Sequence, residues 1–312
     1  MKPPEARIAV VDLGSNSVRL FLCDGIGASG PSGERTTTVV GLRRGAAADG
    51  TLAEDALARL DACLAEYAGP TRRFAPERII AVGTSAVRDA PNRDRVATLL
   101  RDRMGAALTV LDGEQEALCS FAGALLGAPD GGEMMVVDIG GASTELVRGG
   151  PQGPAGAVSL QLGAVRQTER YLASDPPTEG ELAALRGEAG ELVRGALERI
   201  GGPAPAVGVA GTITTLAAID LGAYDPERVH GYRLGRETIR RITGDLARLP
   251  VARRREIPGL EPARAGVIVA GAVIALAVLE EAGLDEISVS ERDLLDGVVL
   301  AATDPSGGLF RL

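Results

Sequence analysis

Two stretches decide how this chain is organised: VVDLGSNSVRL at residues 10–20 and VVDIGGASTEL at residues 136–146. They share V-V-D-[L/I]-G-x-x-S-x-x-L, with Asp12 over Asp138, Gly14 over Gly140 and Ser17 over Ser143, at an offset of 126 residues. Each is an apolar run that ends in Asp and breaks at Gly, the pattern of a buried strand entering a tight turn. The alternation that follows each turn (Val18, Leu20 and Leu22 in the first copy) predicts a second strand returning antiparallel. Duplication of one supersecondary unit accounts for the pair.

Working outward from the first copy, strands are expected over 6–13, around 18–22 and over 36–42, a helix over 52–67 opened by the capping box Thr51-Leu-Ala-Glu54, and a strand over 78–86. Asn92 then caps a helix to Met104, and a strand follows over 107–111, giving the order βββαβαβ and a first domain of residues 1–118. From the second copy, residues 119–312, strands are expected over 134–141, 143–149, 157–163, 206–212 and 286–291. Helices are expected over 165–173, 178–200, from about Thr212, 235–248 and 262–282, with a last one over 293–302 whose return to the first domain stays open. The apolar run Gly266–Leu279 is too short to span a bilayer and reads as a buried core helix.

Composition narrows the function. The chain is 312 residues, 45% hydrophobic and 24% charged, which suits two folded domains and excludes wholesale disorder. A net charge of −9 argues against a nucleic-acid surface, so any polyanion must be held locally. Cys23, Cys63 and Cys119 form no CxxC pair, and the first residues lack a sustained apolar segment, so a reducing cytoplasmic setting without signal peptide or membrane anchor is expected. The only lysine is Lys2 and no GxxxxGK[ST] occurs, which removes a Walker-type site. A lone His230 removes multi-histidine phosphatases and Ser-His-Asp hydrolases, and no cysteine is followed six positions on by arginine. What remains for phosphate chemistry is metal-assisted attack by water, helped by a carboxylate.

The repeated loops suit that chemistry. Gly and small hydroxyl residues after a strand let successive backbone N–H groups turn inward as a nest for phosphate oxygens. A carboxylate beside such a nest repels the anion unless a cation lies between them, and Mg²⁺ is the candidate.

Beyond the repeat, DLGSNSVRL (12–20), GTSAVRDAPN (83–92), GEQEA (113–117), DIGGASTEL (138–146), SLQLGAVRQTERY (159–171), GVAGTITTLAA (208–218), DPERVHGY (225–232) and SERDLLDG (290–297) resemble, in order, the signature blocks of the Ppx/GppA phosphatases. These are the exopolyphosphatases and guanosine pentaphosphate phosphohydrolases of the actin-like, sugar-kinase and Hsp70 ATPase superfamily. The resemblance implies an α/β fold of two actin-like (ribonuclease H-like) domains, each a mixed sheet flanked by helices, with the active site in the interdomain cleft. It implies Glu116 as the residue that activates water, and Asp138, Glu145 and Asp12 facing Mg²⁺ or, alternatively, Mn²⁺. Gly14, Ser15, Asn16, Gly140, Gly141 and Ser143 would cradle phosphate, with Arg88, Thr84 and Ser85 nearby and Arg19 and Arg264 towards the distal end of the substrate. Gly211 and Thr212, with Thr214, either hold phosphate or cap a helix. The expected activity is release of terminal orthophosphate from linear polyphosphate by a homodimer. The alternatives are the 5′-phosphate of pppGpp as substrate, or a low-activity sensor of (p)ppGpp or polyphosphate. Gln115, Ala142 and Gly266 depart from the family pattern and favour the sensor. His230 reads as structural, and Arg253, Arg254 and Arg255 as a solvated helix-end charge run.

Overall fold

The computed structural model describes residues 7–27, 30–126 and 132–304, so Lys2 and Ala6, the expected start of the first strand, lie outside it. Two compact units divide the chain: residues up to Leu126 together with those from Leu294 onward, and Gly127–Asp293. The border expected at 118 falls inside a helix of the first unit.

The first unit is built on β1 (Ile8–Leu13), β2 (Ser17–Gly27), β3 (Gly30–Val39), α1 (Glu54–Phe74), β4 (Arg78–Gly83), α2 (Ser85–Asp89), α3 (Arg93–Met104), β5 (Leu108–Val110) and α4 (Gly113–Leu125). Its sheet runs β3-β2-β1-β4-β5, with β1 antiparallel to β2 and parallel to β4. All six residues of β1 are buried, as a central strand covered on both faces requires. The third strand lies earlier than expected, because Ser32–Thr37 are exposed and show no apolar signal.

Helix α1 is longer than its periodicity indicates. It continues through Pro70 and ends at left-handed Ala75. Thr51 does not cap it: Ala53 stands at the N-cap without a side-chain bond. Asn92 does stand at the N-cap of α3, but its amide reaches across to the backbone N–H and C=O of Leu52.

The second unit contains β6 (Met134–Ile139), β7 (Thr144–Gly150), β8 (Gly153–Leu160), α5 (Ala164–Tyr171), α6 (Glu179–Arg199), β9 (Ala206–Val209), α7 (Ala210–Leu221), α8 (Pro226–Val229), β10 (Arg233–Gly235), α9 (Arg236–Ala247), α10 (Val251–Arg254), a 3-10 turn at Pro262–Arg264, α11 (Ile268–Glu281) and β11 (Glu286–Val289). Its sheet order, β10-β11-β9-β6-β7-β8, places β6 antiparallel to β7 and parallel to β9, just as β1 lies between β2 and β4. The helix expected over 262–282 is therefore two pieces. Ile268–Leu279 of α11 are buried without interruption, and among the described residues no helix is long and apolar enough to cross a membrane.

The last helix, α12 (Leu294–Thr303), belongs to the first unit and packs against α4. Asp296, fully buried, receives Arg35 at 2.6 Å, and the Arg35 guanidinium lies 4.2 Å from the centroid of the Phe21 ring. Gly297 lets the two helices meet: a Cβ there would fall 2.0 Å from the Cys119 carbonyl oxygen. Gly297→Ala is expected to cost about 3 kcal/mol, because the obstacle is backbone, and urea denaturation measures it.

Candidate active site

In both units the chain leaves the central strand through the same turn. The N–H of Gly14 donates to the Ser17 carbonyl at 3.0 Å, and the N–H of Gly140 donates to the Ser143 carbonyl at 3.0 Å. A side chain on Gly14 would come within 2.8 Å of that carbonyl, which explains the glycine. The parallel neighbour of each central strand ends beside the turn, since Leu13 pairs with Gly83 and Asp138 with Val209. Loops that bind ligands gather at such carboxyl ends of parallel strands.

In the first unit, the N–H groups of Arg43 and Gly41 hold the carbonyls of Ser15 and Asn16 at 2.9 and 2.7 Å. That fixes the turn while the Ser15 and Asn16 amides donate to no backbone carbonyl among the described residues. Asn16 Oδ1 and Ser85 Oγ are buried with no hydrogen-bond partner among them. Buried polar atoms are rarely left so without a ligand or water to meet them. Thr84 completes this edge at the N-cap of α2.

Arg88 follows one turn later. Its Nη1 donates to the Leu111 carbonyl at 2.7 Å and to Glu116 Oε2 at 2.9 Å, and Glu116 is only 7% exposed. Arg88 also lines an open cavity of about 410 Å³ shared with Arg93 and Leu108. Glu116 sits in the first turn of α4, which a capping box locks: Asp112 accepts from Glu114 and Gln115 N–H, and Gln115 Oε1 accepts from Asp112 N–H. Glutamine and glutamate serve equally at that position. Gln115 is thus a structural substitution that leaves Glu116 in place. Asp12, expected to face the metal, gives Oδ2 to Arg19, whose Nε and Nη2 both lie 2.8 Å away.

In the second unit, the carbonyl edge of the loop is spent on α5. Gly140 accepts from Ala164 N–H, Gly141 from Val165 and Arg166 N–H, and Ala142 from Arg166 Nε. The amides of Gly141, Ala142 and Ser143 donate to no backbone carbonyl among the described residues, so they form the open edge of the turn. Ala142 has none of the positive φ values that would demand glycine, and its methyl group is buried. The tight partner is Gly163, where a Cβ would fall 2.4 Å from Ala142 backbone.

Asp138 and Glu145 stand opposite each other on β6 and β7, 7% and 1% exposed, and Ser159 Oγ on β8 donates to Glu145 Oε1 at 2.7 Å. Two hard carboxylates beside open amides fit Mg²⁺, which keeps several waters and takes substrate phosphate oxygens. Among the described residues no cluster of three or more His, Cys, Asp or Glu side chains forms an all-protein metal cage.

Beside Asp138, α7 opens at Ala210 with φ +64°, an uncommon conformation for alanine. The Arg264 guanidinium lies over Gly211, where a Cβ would meet Nη1 at 2.1 Å, and its Nε is held by Glu261 at 2.9 Å. The helix-capping alternative for this segment is not what occurs: Val209 is the N-cap without a side-chain bond, and Thr214 bonds the Ala210 carbonyl within α7. Thr212 packs on Gly271 of α11.

Arg254 departs from the expected solvated run. It is 3% exposed, donates to the carbonyls of Leu246 and Ala265, faces Asp175, and burial pushes its pKa down. His230 Nδ1 accepts from Glu291 N–H, a structural role. Burial pushes all three thiols up, which leaves no activated cysteine among them. The supports missed in the sequence are Ser159, the Gly41–Arg43 turn and the Asp112–Gln115 box. Only the last has a local signature.

Residues 33–304 match the Ppx/GppA phosphatase family. Exopolyphosphatase 2 of Mycobacterium tuberculosis is 38% identical over an alignment of 319 positions, covering 95% of this chain and 98% of the relative. Among solved structures, a Ppx/GppA family member from Aquifex aeolicus is 32% identical with a TM-score of 0.79, covering 96% of this chain and 97% of that one. An exopolyphosphatase from Cytophaga hutchinsonii is 26% identical with a TM-score of 0.86, covering 95% and 97%.

Proposed function

Because the chain belongs to the Ppx/GppA phosphatase family, whose members are hydrolases of phosphoanhydride bonds, we propose that it is an exopolyphosphatase. In this reading it removes terminal orthophosphate from linear polyphosphate by attack of a water molecule that Glu116 orients and deprotonates. The observation that carries it is the Glu116–Arg88 pair at 2.9 Å, set in the same unit as the Gly14–Asn16 loop with its unspent amides.

Arg88 fixes the Glu116 carboxylate, which accepts a proton from water. Arg88, held by Glu116 and the Leu111 carbonyl, supplies the positive charge that stabilises the transferring phosphoryl in this reading. Water oxygen bonds to the terminal phosphorus, the bridging P–O bond breaks, and orthophosphate leaves a chain one unit shorter. Asp138 and Glu145 would hold Mg²⁺, which would supply charge neutralisation for phosphate oxygens. Within the first unit, the amides of Ser15 and Asn16 are the phosphate donors of this reading. Gln115 is absorbed in a capping box and Ala142 in an ordinary backbone conformation, so two of the three departures that favour a sensor have structural explanations.

Orthophosphate release with Mg²⁺ from short-chain polyphosphate, long-chain polyphosphate and pppGpp, with Glu116→Ala as the blank, tests the reading. Release from polyphosphate that the variant loses supports it; release from pppGpp alone reassigns the substrate. Binding without release from any of them replaces the enzyme by a sensor.

Gly211→Ala checks the distal contact. The added methyl meets the far end of a flexible side chain, so Arg264 moves and the fold stays. KM for polyphosphate is expected to rise about tenfold, the loss of one charge-assisted hydrogen bond, with thermal stability nearly unchanged. In an Arg264→Ala background the same substitution should add nothing.

A further inference from the structure

The loop that turns at Gly14 is held by a strap, residues 40–53, that joins β3 to α1. The first turn of the strap donates twice to the loop, from Gly41 N–H to the Asn16 carbonyl at 2.7 Å and from Arg43 N–H to the Ser15 carbonyl at 2.9 Å. The strap is itself pinned. Arg59 on α1 donates from Nε to the Val40 carbonyl at 2.7 Å and from Nη2 to the Gly41 carbonyl at 3.2 Å. Farther along, the Asn92 amide takes both backbone groups of Leu52. Gly50, at φ +88°, passes so close to the end of α2 that a Cβ would fall 2.8 Å from the Asp89 carbonyl oxygen.

Arg44 closes that first turn. Its N–H donates to the Gly41 carbonyl at 3.0 Å, and its side chain folds back over Gly41, where a Cβ would meet Cζ and Nε at 3.4 Å. The guanidinium thus rests on the residue that holds Asn16. Arg264 stands in the same relation to Gly211 in the second unit.

Charge pairing sets Arg44 apart. Arg19, Arg35, Arg59, Arg88, Arg95 and Arg103 each meet a carboxylate within the first unit. Arg44 is exposed and makes neither an ion pair nor a side-chain hydrogen bond among the described residues. Arg72 and Arg73 are equally unpaired, but they end α1 just before β4 begins, at the opposite edge of the sheet from the loop. Arg93 lines the Arg88 cavity instead.

We propose that Arg44 is a substrate-binding residue, which takes a phosphate of the chain next to the one that the Ser15 and Asn16 amides hold. This rests on the polyphosphate reading above and deepens it by a contact beyond the reacting end. A linear polyphosphate is charged on every unit, so a ligand seated on the loop amides brings further anions to the surround of the loop. Arg44 is the unpaired cation of that surround, and its planar fork can hold two phosphate oxygens. The bonds from Arg59 and Asn92 fix the backbone from which it extends, so less freedom is lost on binding.

Titration calorimetry of long-chain polyphosphate with the full chain, in buffer without divalent ions, tests this. Arg44→Ala is expected to bind about tenfold more weakly than wild type, the loss of one charge-assisted hydrogen bond. Its thermal midpoint should not change, because the side chain has no partner to lose. Arg44→Lys keeps the charge and should recover most of the affinity. The gap between wild type and Arg44→Ala should narrow as salt rises. Equal affinity of wild type and Arg44→Ala overturns the proposal, as does a loss that lysine does not relieve and that comes with a lower thermal midpoint. No turnover enters the assay, so failure of the hydrolase reading shows separately, as absent orthophosphate release with binding and its Arg44 dependence intact. A wild type that binds no polyphosphate overturns both.

Discussion

Glu116→Gln is expected to lower kcat by about 10²–10⁴-fold, the range that a positioned general base contributes, while the protein stays folded. Glutamine preserves the shape of the side chain and an oxygen that can accept from Arg88, whose second bond, to the Leu111 carbonyl, is untouched. The α4 capping box also remains, because it uses Asp112 and Gln115. What the proposed reaction would lose is the group that takes a proton from water. KM should therefore change little, and the loss should appear in kcat under saturating polyphosphate. Thermal denaturation is the control: the ion pair becomes a hydrogen bond from the still-charged Arg88 guanidinium to a neutral amide oxygen, at an expected cost of about 1–3 kcal/mol. A variant that keeps wild-type kcat removes Glu116 from the reaction.

Asp138→Asn is expected to reduce turnover on the order of 10³-fold, equivalent to about 4 kcal/mol of lost charge stabilisation. The substitution keeps the strand register with Glu145 and Val209 and removes one negative charge from a site 7% exposed. Of the proposed ligand pair, Glu145 alone would remain, still held by Ser159. Raising Mg²⁺ should recover part of the rate in this variant and none of it in Glu116→Gln. That contrast separates a metal ligand from a base. Steady-state kinetics across a Mg²⁺ titration measure it.

The parts of the fold visible in the sequence are those that burial writes as pattern. β1 and β6 are uninterrupted apolar runs because both faces are covered, and α11 is apolar all round because nothing of Ile268–Leu279 reaches solvent. The two loops were legible because Asp, Gly and Ser recur at the same spacing in both copies. Elements shaped by their surroundings were not. The edge strand β3 spends Ser32–Thr37 on solvent, and α1 runs on through Pro70, where propensity says stop.

The site divides in the same way. Glu116, Arg88, Asp138 and Glu145 lie in recognisable blocks, and Glu116 with Arg88, and Asp138 with Glu145, are brought together within their units. What pins them comes from far along the chain: Ser159 on Glu145, Gly41 and Arg43 on the first loop, and the start of α5 on the second. Such contacts are set by sheet register and helix docking, which leave no local spacing to read. Arg254 shows the converse error, since three consecutive arginines look solvated until one of them is found buried against the carbonyls of Leu246 and Ala265.

Hydrolysis of polyphosphate in water enriched in ¹⁸O, with mass spectrometry of the released orthophosphate, tests the water-attack chemistry at its centre. Each orthophosphate should carry one solvent oxygen, released from the chain end in wild type and lost with Glu116→Gln. Released orthophosphate without solvent oxygen, or no release from polyphosphate at all, contradicts it.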